Sequence, residues 1–295
     1  MADHDGRRPG RVEFARQAAL IVVAALVYFA VRSLTEGSVS AAVTHGREVL
    51  RAERAFGIDV EAGLQTFVTD HHWLTTLVNW IYIWGHWPVI ALTFVWLFRT
   101  NRSEFYLLRN AMFVSGAIGI VIFACFPVAP PRLLPGSPYV DTVTTLSRSY
   151  RVLQPPALVN KYAAMPSLHA GWNLLVGISL HRTSRSRRVR ALGVASPALM
   201  TFAVVATANH YVLDPVVGGA VALVGFALAW WWSTRDSSDD PSEVRVAKRA
   251  KSSTIRPVTP QPASRSARSG SSHPHAYTRR PPDDAESTRR RSMSR

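Results

Sequence analysis

Cysteine is almost missing from this chain of 295 residues: Cys125 stands alone in an apolar run. One cysteine excludes an intrachain disulfide framework and any cysteine-based zinc site, and it reads as a small buried hydrophobe. Acidic residues are also sparse, 19 against 34 Lys and Arg. In the first four fifths of the chain the basic residues sit between hydrophobic runs, which excludes the continuous basic face that nucleic acid requires. No internal repeat of fixed period is present, so a repeat array is excluded. No small-residue cleavage site follows the first apolar run. Its length and its lead of Arg7, Arg8, Arg11 and Arg16 argue for a retained span and against a cleaved secretory signal. Large apolar side chains nearly vanish after residue 233, where Ser, Pro and Arg dominate and 14 basic residues face 7 acidic ones. Residues 234–295 are therefore expected to be a disordered basic tail whose arginines suit anionic lipid; nucleic acid is not an expected partner. Lysine is scarce beside arginine, a compositional hint of a bacterial source.

What the chain does have is long apolar sequence. Stretches of about 20 predominantly apolar residues fall near 15–34, 73–98, 105–127, 163–181, 189–209 and 213–233. The expected fold is an all-α integral membrane protein, a six-helix transmembrane bundle over 15–233, preceded by a basic amino terminus at 1–14. The fourth stretch is interrupted by Pro166, Ser167, His169 and Asn173, as befits a helix facing a polar cavity. Residues 41–66 interleave Ala42, Val43, Val49, Leu50, Ala55 and Phe56 with Arg47, Glu48, Arg51, Glu53 and Arg54, the pattern of an amphipathic helix lying in the interface. Trp230, Trp231 and Trp232 end the last stretch as an aromatic belt.

With six spans, the amino terminus, Arg99 and Arg102, the run from Arg182 to Arg190 and the tail share one side. The positive-inside rule makes that side cytoplasmic, which places the protein in the plasma membrane with both termini inside the cell. Arg132, His169, His210 and Asp214 then meet at the extracytoplasmic end of their helices, and a chance scatter of polar residues would not converge so.

Ionisable groups in apolar sequence are costly and therefore functional candidates. Asn160-Lys161-Tyr162-Ala163-Ala164-Met165-Pro166-Ser167-Leu168-His169 carries the first histidine, and His210-Tyr211-Val212-Leu213-Asp214 the second. Spacing of four stacks His210 and Asp214 on one helix face, where a carboxylate orients an imidazole and strengthens it as nucleophile or base. Phosphoryl transfer needs a nucleophile, a proton donor for the leaving oxygen and cations or backbone donors for the equatorial oxygens. His210, oriented by Asp214, fits the first role and His169 the second. Arg132 and Lys161 are the nearest cations, and Ser167 opens a helix whose N–H groups suit an anion. Asn160, Tyr162 and Asn173 are candidate cavity-lining residues; His71, His72 and His86 read as interfacial, with His86, beside Gly85 and Trp87, a lesser candidate for the cavity. No metal or cofactor is expected.

Pro166-Ser167-Leu168-His169 and His210-Tyr211-Val212-Leu213-Asp214 resemble the second and third motifs of the type-2 phosphatidic acid phosphatase superfamily. The Ser-Leu-His form, the Phe-Pro-x-Ala-Pro-Pro stretch at 126–131 and the His-Tyr-x-x-Asp arrangement look most like its inositol phosphorylceramide synthase branch. The resemblance implies a membrane bundle with an extracytoplasmic, metal-independent site that acts on a lipid phosphate or phosphodiester through a phosphohistidine. It assigns His210 as nucleophile, Asp214 as its orienting carboxylate and His169 as acid and base. Two positions depart from the family pattern: Val204 stands where an Arg usually precedes the nucleophilic His by six residues, and no Lys precedes Arg132. Arg132, helped by Lys161, Arg148 or Arg151, is then left to neutralise the phosphate. Hydrolysis and transfer to an alcohol stay open, since one general base activates either acceptor. The alternative class is a polytopic transporter or channel relaying protons or ions through the His/Asp cluster. Against it stand the missing repeat and a cluster at one face of the bundle, away from the midplane. A scaffold with a dispensable triad is a third reading.

Overall fold

In the computed structural model the described residues are 10–34, 38–143 and 160–238. Arg148, Arg151 and most of the tail lie outside them. The described residues form helices: α1 (Arg11–Leu34), α2 (Val39–Phe56), α3 (Glu61–Thr69), α4 (His72–Trp84), α5 (Trp87–Thr100), α6 (Arg102–Cys125), α7 (Leu168–Thr183), α8 (Arg187–Ala206) and α9 (Leu213–Ser238), with a single 3-10 turn at Pro131–Leu133. Their only β pairing is one isolated parallel bridge, Val128 to Ala163.

Local chemistry sets the breaks. Asn101 ends α5 and caps α6, its side chain accepting the Glu104 N–H at 3.1 Å, a bond that satisfies one of the orphan donors of a helix start. Gly57 closes α2 in the left-handed conformation, φ 67°, which a side chain would disfavour. The expected single interfacial helix over 41–66 is therefore two helices, α2 and α3. The expected span at 73–98 is also two, α4 and α5, bent by 44° at Gly85–His86; Pro88 suits the first turn of the second helix.

Four helices, α1, α6, α8 and α9, are long and apolar enough to cross a bilayer, and the bent pair makes a fifth. The fourth expected span is α7, whose 16 residues reach only about 24 Å, short of the roughly 30 Å hydrocarbon core. It starts late because residues 160–167 are irregular and form part of a cavity wall.

The bundle closes around α6, α7 and α9, with α8 laid against α7 and α4, and α5 and α1 against α6. In a bilayer helices associate through close packing and not through expulsion of water, so small residues mark the contacts. A Cβ on Gly218 would collide with the Ser167 carbonyl, one on Gly171 with the Gly218 carbonyl, and one on Gly177 with the Gly193 carbonyl. Backbones thus touch at the α7–α9 and α7–α8 crossings. Leu97, Leu108, Ala111, Leu175, Val176 and Ala222 fill the centre of the core.

Two sequence expectations are corrected here. Cys125 is exposed at the end of α6 and is not a buried hydrophobe, because that face of the helix turns outward to where lipid would lie. Glu53 does not belong to a solvated face of α2. It is 0 % exposed, because the buried face of this helix runs Ala42, Gly46, Val49, Glu53, a helical period that carries the carboxyl inward.

Candidate active site

Three irregular segments meet at one end of the bundle. Residues 126–131 follow α6, residues 160–167 precede α7, and residues 207–212 join α8 to α9. The first two are tied by Val128 N–H to the Tyr162 carbonyl at 2.7 Å and Ala164 N–H to the Val128 carbonyl at 3.1 Å. The first is tied to α2 by Ala129 N–H to the Ala42 carbonyl and by His45 Nδ1 on the Pro127 carbonyl at 2.8 Å. The third is tied to the first by Tyr211, whose hydroxyl donates to the Ala129 carbonyl at 2.9 Å. Gly46 is needed beneath this contact, since a Cβ there would lie 2.7 Å from the Ala129 carbonyl oxygen and 2.8 Å from the Tyr211 hydroxyl. The peptide between Met165 and Pro166 is cis.

These segments enclose a cavity of about 50 Å³ lined by His86, Arg132, Asn160, Lys161, His169, Asn209 and His210 among its polar groups, with Tyr28, Tyr82, Trp87 and Trp172 among its rings. The volume holds a few water-sized groups.

His210 is held at Nδ1 by two acceptors, the Ala164 carbonyl at 2.7 Å and Asp214 Oδ2 at 3.1 Å. A carbonyl oxygen only accepts, so Nδ1 carries the proton and the lone pair of the neutral ring is on Nε2. Asp214 is 0 % exposed and its Oδ2 also accepts the Tyr211 N–H at 3.0 Å. The chain reaches this geometry through Ala208, whose φ of 51° is left-handed, a conformation that costs a non-glycine residue about 1–2 kcal/mol. Val204 is buried, and its carbonyl accepts both Asn209 and His210 N–H groups; the position at which the family pattern has Arg is here a core residue with a structural backbone.

His169 opens α7 with its ring between those of Tyr82, stacked at 4.9 Å, and His86, tilted at 4.3 Å. Its centroid lies 6.2 Å from that of His210. Asn173, one turn later, orients this group. Its Oδ1 accepts from Ser196 Oγ at 2.7 Å and its Nδ2 donates to the His169 carbonyl at 2.9 Å. The same Nδ2 lies 3.1 Å from His86 Nδ1. An amide reversed would set oxygen against the His169 carbonyl, so Nδ2 donates, His86 Nδ1 accepts, and the proton of a neutral His86 is on Nε2.

Arg132 donates from Nε to Asn209 Oδ1 at 2.9 Å and stands 3.8 Å from Asp141, while its backbone N–H binds the Ala208 carbonyl. The loop that carries Arg132 and the loop that carries His210 are thus one unit. Lys161 lines the cavity and is exposed. Asn160 also lines it and accepts the Tyr162 N–H at 2.8 Å.

The structure therefore brings His210, His169, Arg132, Lys161, Asn160 and His86 to one cavity. Asp214 stands behind it as support for His210, and Asn173 as support for His86 and His169. Tyr162 and Ser167 are not among the lining residues: Ser167 is fully buried, with its N–H on the Asp214 carbonyl. Sequence reading passed over Asn209, whose signal was adjacency to His210, and Tyr82, which carried none. Among the described residues no three His, Cys, Asp or Glu side chains are grouped to hold a metal ion.

The crystal structure of Aquifex aeolicus LpxE is similar at 15% identity and a TM-score of 0.45, covering 59% of this chain and 94% of that one. No curated protein matches the chain. The PAP2 superfamily matches over residues 47–228, a stretch that contains all three irregular segments and more than half of the sequence, and the chain belongs to that superfamily.

Proposed function

We propose that this protein is an integral membrane lipid phosphatase or phosphotransferase in which His210 is the nucleophile. The observation that carries the reading is the pair of acceptors on His210 Nδ1, which leaves the Nε2 lone pair on a ring that lines the cavity. In the first step Nε2 forms a bond to phosphorus while the bond from phosphorus to the leaving oxygen breaks, and protonated His169 gives that oxygen its proton. In the second, neutral His169 takes a proton from water or an alcohol whose oxygen attacks the phosphohistidine, releasing His210. Asp214 stabilises the positive imidazole that forms. Arg132, fixed by Asn209, and Lys161 neutralise the phosphoryl oxygens.

A lipid substrate is favoured by what adjoins the site. An apolar groove of about 260 Å³ between α1, α5 and α6 shares Tyr28, Trp87 and Trp172 with the cavity. A phosphate in the cavity would leave its hydrocarbon chain in that groove, within the bilayer. The motifs favour a place near the inositol phosphorylceramide synthase branch, with a phosphodiester donor and an alcohol acceptor as the transferase form of the same chemistry. On this reading the site faces the extracytoplasmic side of the plasma membrane, and the charge of the basic tail suits anionic lipid.

Purified protein in detergent with chelator, given a panel of lipid phosphates, is expected to release phosphate, and His210→Ala is expected to abolish it. If lipid phosphates are inert, phosphodiester donors with inositol or lipid-alcohol acceptors are the second panel. Activity in His210→Ala equal to the parent, or inertness on both panels, overturns the reading.

A further inference from the structure

Two carboxyls outside the spans are buried where the proposed mechanism does not use them. Glu53 is in the last turn of α2 and Glu61 in the first turn of α3, and both are 0 % exposed. Beyond the left-handed turn at Gly57, α3 brings Glu61 to the backbone N–H next to the one that Glu53 holds, so the two carboxyls sit on consecutive residues of one segment. Each uses one oxygen on the segment that carries the nucleophile. Glu53 Oε1 accepts the Leu213 N–H at 2.8 Å and Glu61 Oε1 the Val212 N–H at 2.9 Å. Those donors lie at the opening of α9, where a helix leaves N–H groups without internal partners, and Asp214 is the next residue. The second oxygens, Glu53 Oε2 and Glu61 Oε2, are buried with no donor among the described residues.

Two ionised carboxylates cannot lie together without water, because their repulsion is unscreened. One proton between them removes the repulsion and supplies the hydrogen bond that both second oxygens lack. The surrounding charges do not replace it. Asp214 adds negative charge, and Arg54, the near cation, is engaged by Asp59 at 3.5 Å. Tyr139 and Tyr211 also face the pair; burial raises both phenols, that of Tyr139 to about 12, so they stay neutral. Burial first, and the hydrogen bond with Glu61 second, push the Glu53 carboxyl up to about 9.

We propose that Glu53 and Glu61 share one proton and act as positioning residues, a clamp that fixes where α9 begins and so aligns Asp214 with His210. The proposal rests on His210 as nucleophile. Loss of the proton at alkaline pH sets two like charges against each other at the helix start, so the clamp opens and turnover falls while substrate binding, which the pair does not touch, is little changed. For stability, the contribution of the protonated carboxyl is fully present below about 4.5, its ordinary value, and is lost as pH rises through about 9.

The test compares parent, Glu53→Gln, Glu53→Ala and His210→Ala in detergent between pH 6 and pH 10.5. Thermal unfolding and phosphate release from dioleoyl phosphatidate are both measured. A glutamine amide donates to the Glu61 carboxylate at any pH and still accepts the Leu213 N–H. Glu53→Gln is therefore expected to flatten the alkaline fall of Tm and of kcat, with kcat at pH 7 within about threefold of the parent. Glu53→Ala strands Leu213 N–H and is expected to lose about tenfold or more in kcat with KM little moved. Superimposable Tm–pH curves for parent and Glu53→Gln would overturn the shared proton, whether or not phosphatidate is a substrate. Full kcat in Glu53→Ala would overturn the positioning role. An active His210→Ala would instead remove the nucleophile reading and leave the Tm result standing.

Discussion

Asp214 and the Ala164 carbonyl together hold His210 Nδ1, where in the serine-protease triad one carboxylate holds the imidazole alone. There, replacing the carboxylate by an amide lets the imidazole adopt the wrong tautomer and lowers kcat by about 10⁴. Here the shorter bond to Nδ1 comes from a backbone carbonyl, 2.7 Å against 3.1 Å, and no substitution at 214 removes it. Asp214→Asn is accordingly expected to keep the reactive tautomer, to lose only the stabilisation of the positive ring, and to reduce phosphate release by about 10²-fold, well above the floor set by His210→Ala. A fall to that floor would mean that the carbonyl does not hold the ring. The two histidines and the aspartate were legible in sequence because ionisable groups are conspicuous in apolar runs. The Ala164 carbonyl was not, since every residue carries one and only the fold selects which is aimed. Asn173 is an intermediate case: it was visible as a polar interruption, but its work is to orient His86 and His169. Asn173→Leu strands the Ser196 hydroxyl, and a loss of about 1–3 kcal/mol in unfolding free energy is expected by denaturant titration.

At the scale of helices, the apolar runs gave the count of long elements nearly right because a bilayer demands about 20 apolar residues per crossing. They could not show the bend at Gly85–His86, because a break of two residues is too short to divide the apolar run that continues on both sides of it. Nor could an amphipathic pattern tell that Glu53 continues the inward face Ala42, Gly46, Val49; only its spacing hinted so. The α7–α9 crossing holds Ser167 and His169 against the helix that carries Asp214 in its first turn, and its tightness is a testable quantity. At Gly218 an added Cβ meets the Ser167 backbone, whereas at neighbouring Gly219 it meets only Leu174 Cδ2 at 3.6 Å, an ordinary contact. Gly218→Ala is expected to destabilise by about 1–3 kcal/mol and to lower kcat. Gly219→Ala is expected to be neutral or slightly stabilising, as alanine is the better helix former by about 1 kcal/mol. Equal Tm values in detergent for the two variants would show that the helices do not approach so closely.

For the whole molecule the decisive matter is which end of the bundle faces the cytoplasm. The end away from the cavity gathers the basic residues: Arg182 of α7 pairs with Glu104 of α6 at 3.2 Å and lies over Trp230 of α9, and Tyr106 of α6 reaches Glu13 of α1. Arg99, Arg102, Arg185, Arg187, Arg188 and Arg190 occupy the turns at the same level. The opposite end carries Asp59, Glu61, Asp70 and the cavity. Lys and Arg in short loops resist translocation, so the proposed orientation keeps the basic end inside and opens the cavity to the outside. Ser186, exposed in the turn between α7 and α8, and Ser40, exposed in the first turn of α2, sample the two ends. With Cys125→Ser as background, Ser40→Cys is expected to react with a membrane-impermeant maleimide in intact cells, and Ser186→Cys only after permeabilisation. The reverse pattern would place the cavity in the cytoplasm, where the same phosphoryl chemistry would draw on inner-leaflet lipid and the positive-inside argument for this chain would fail.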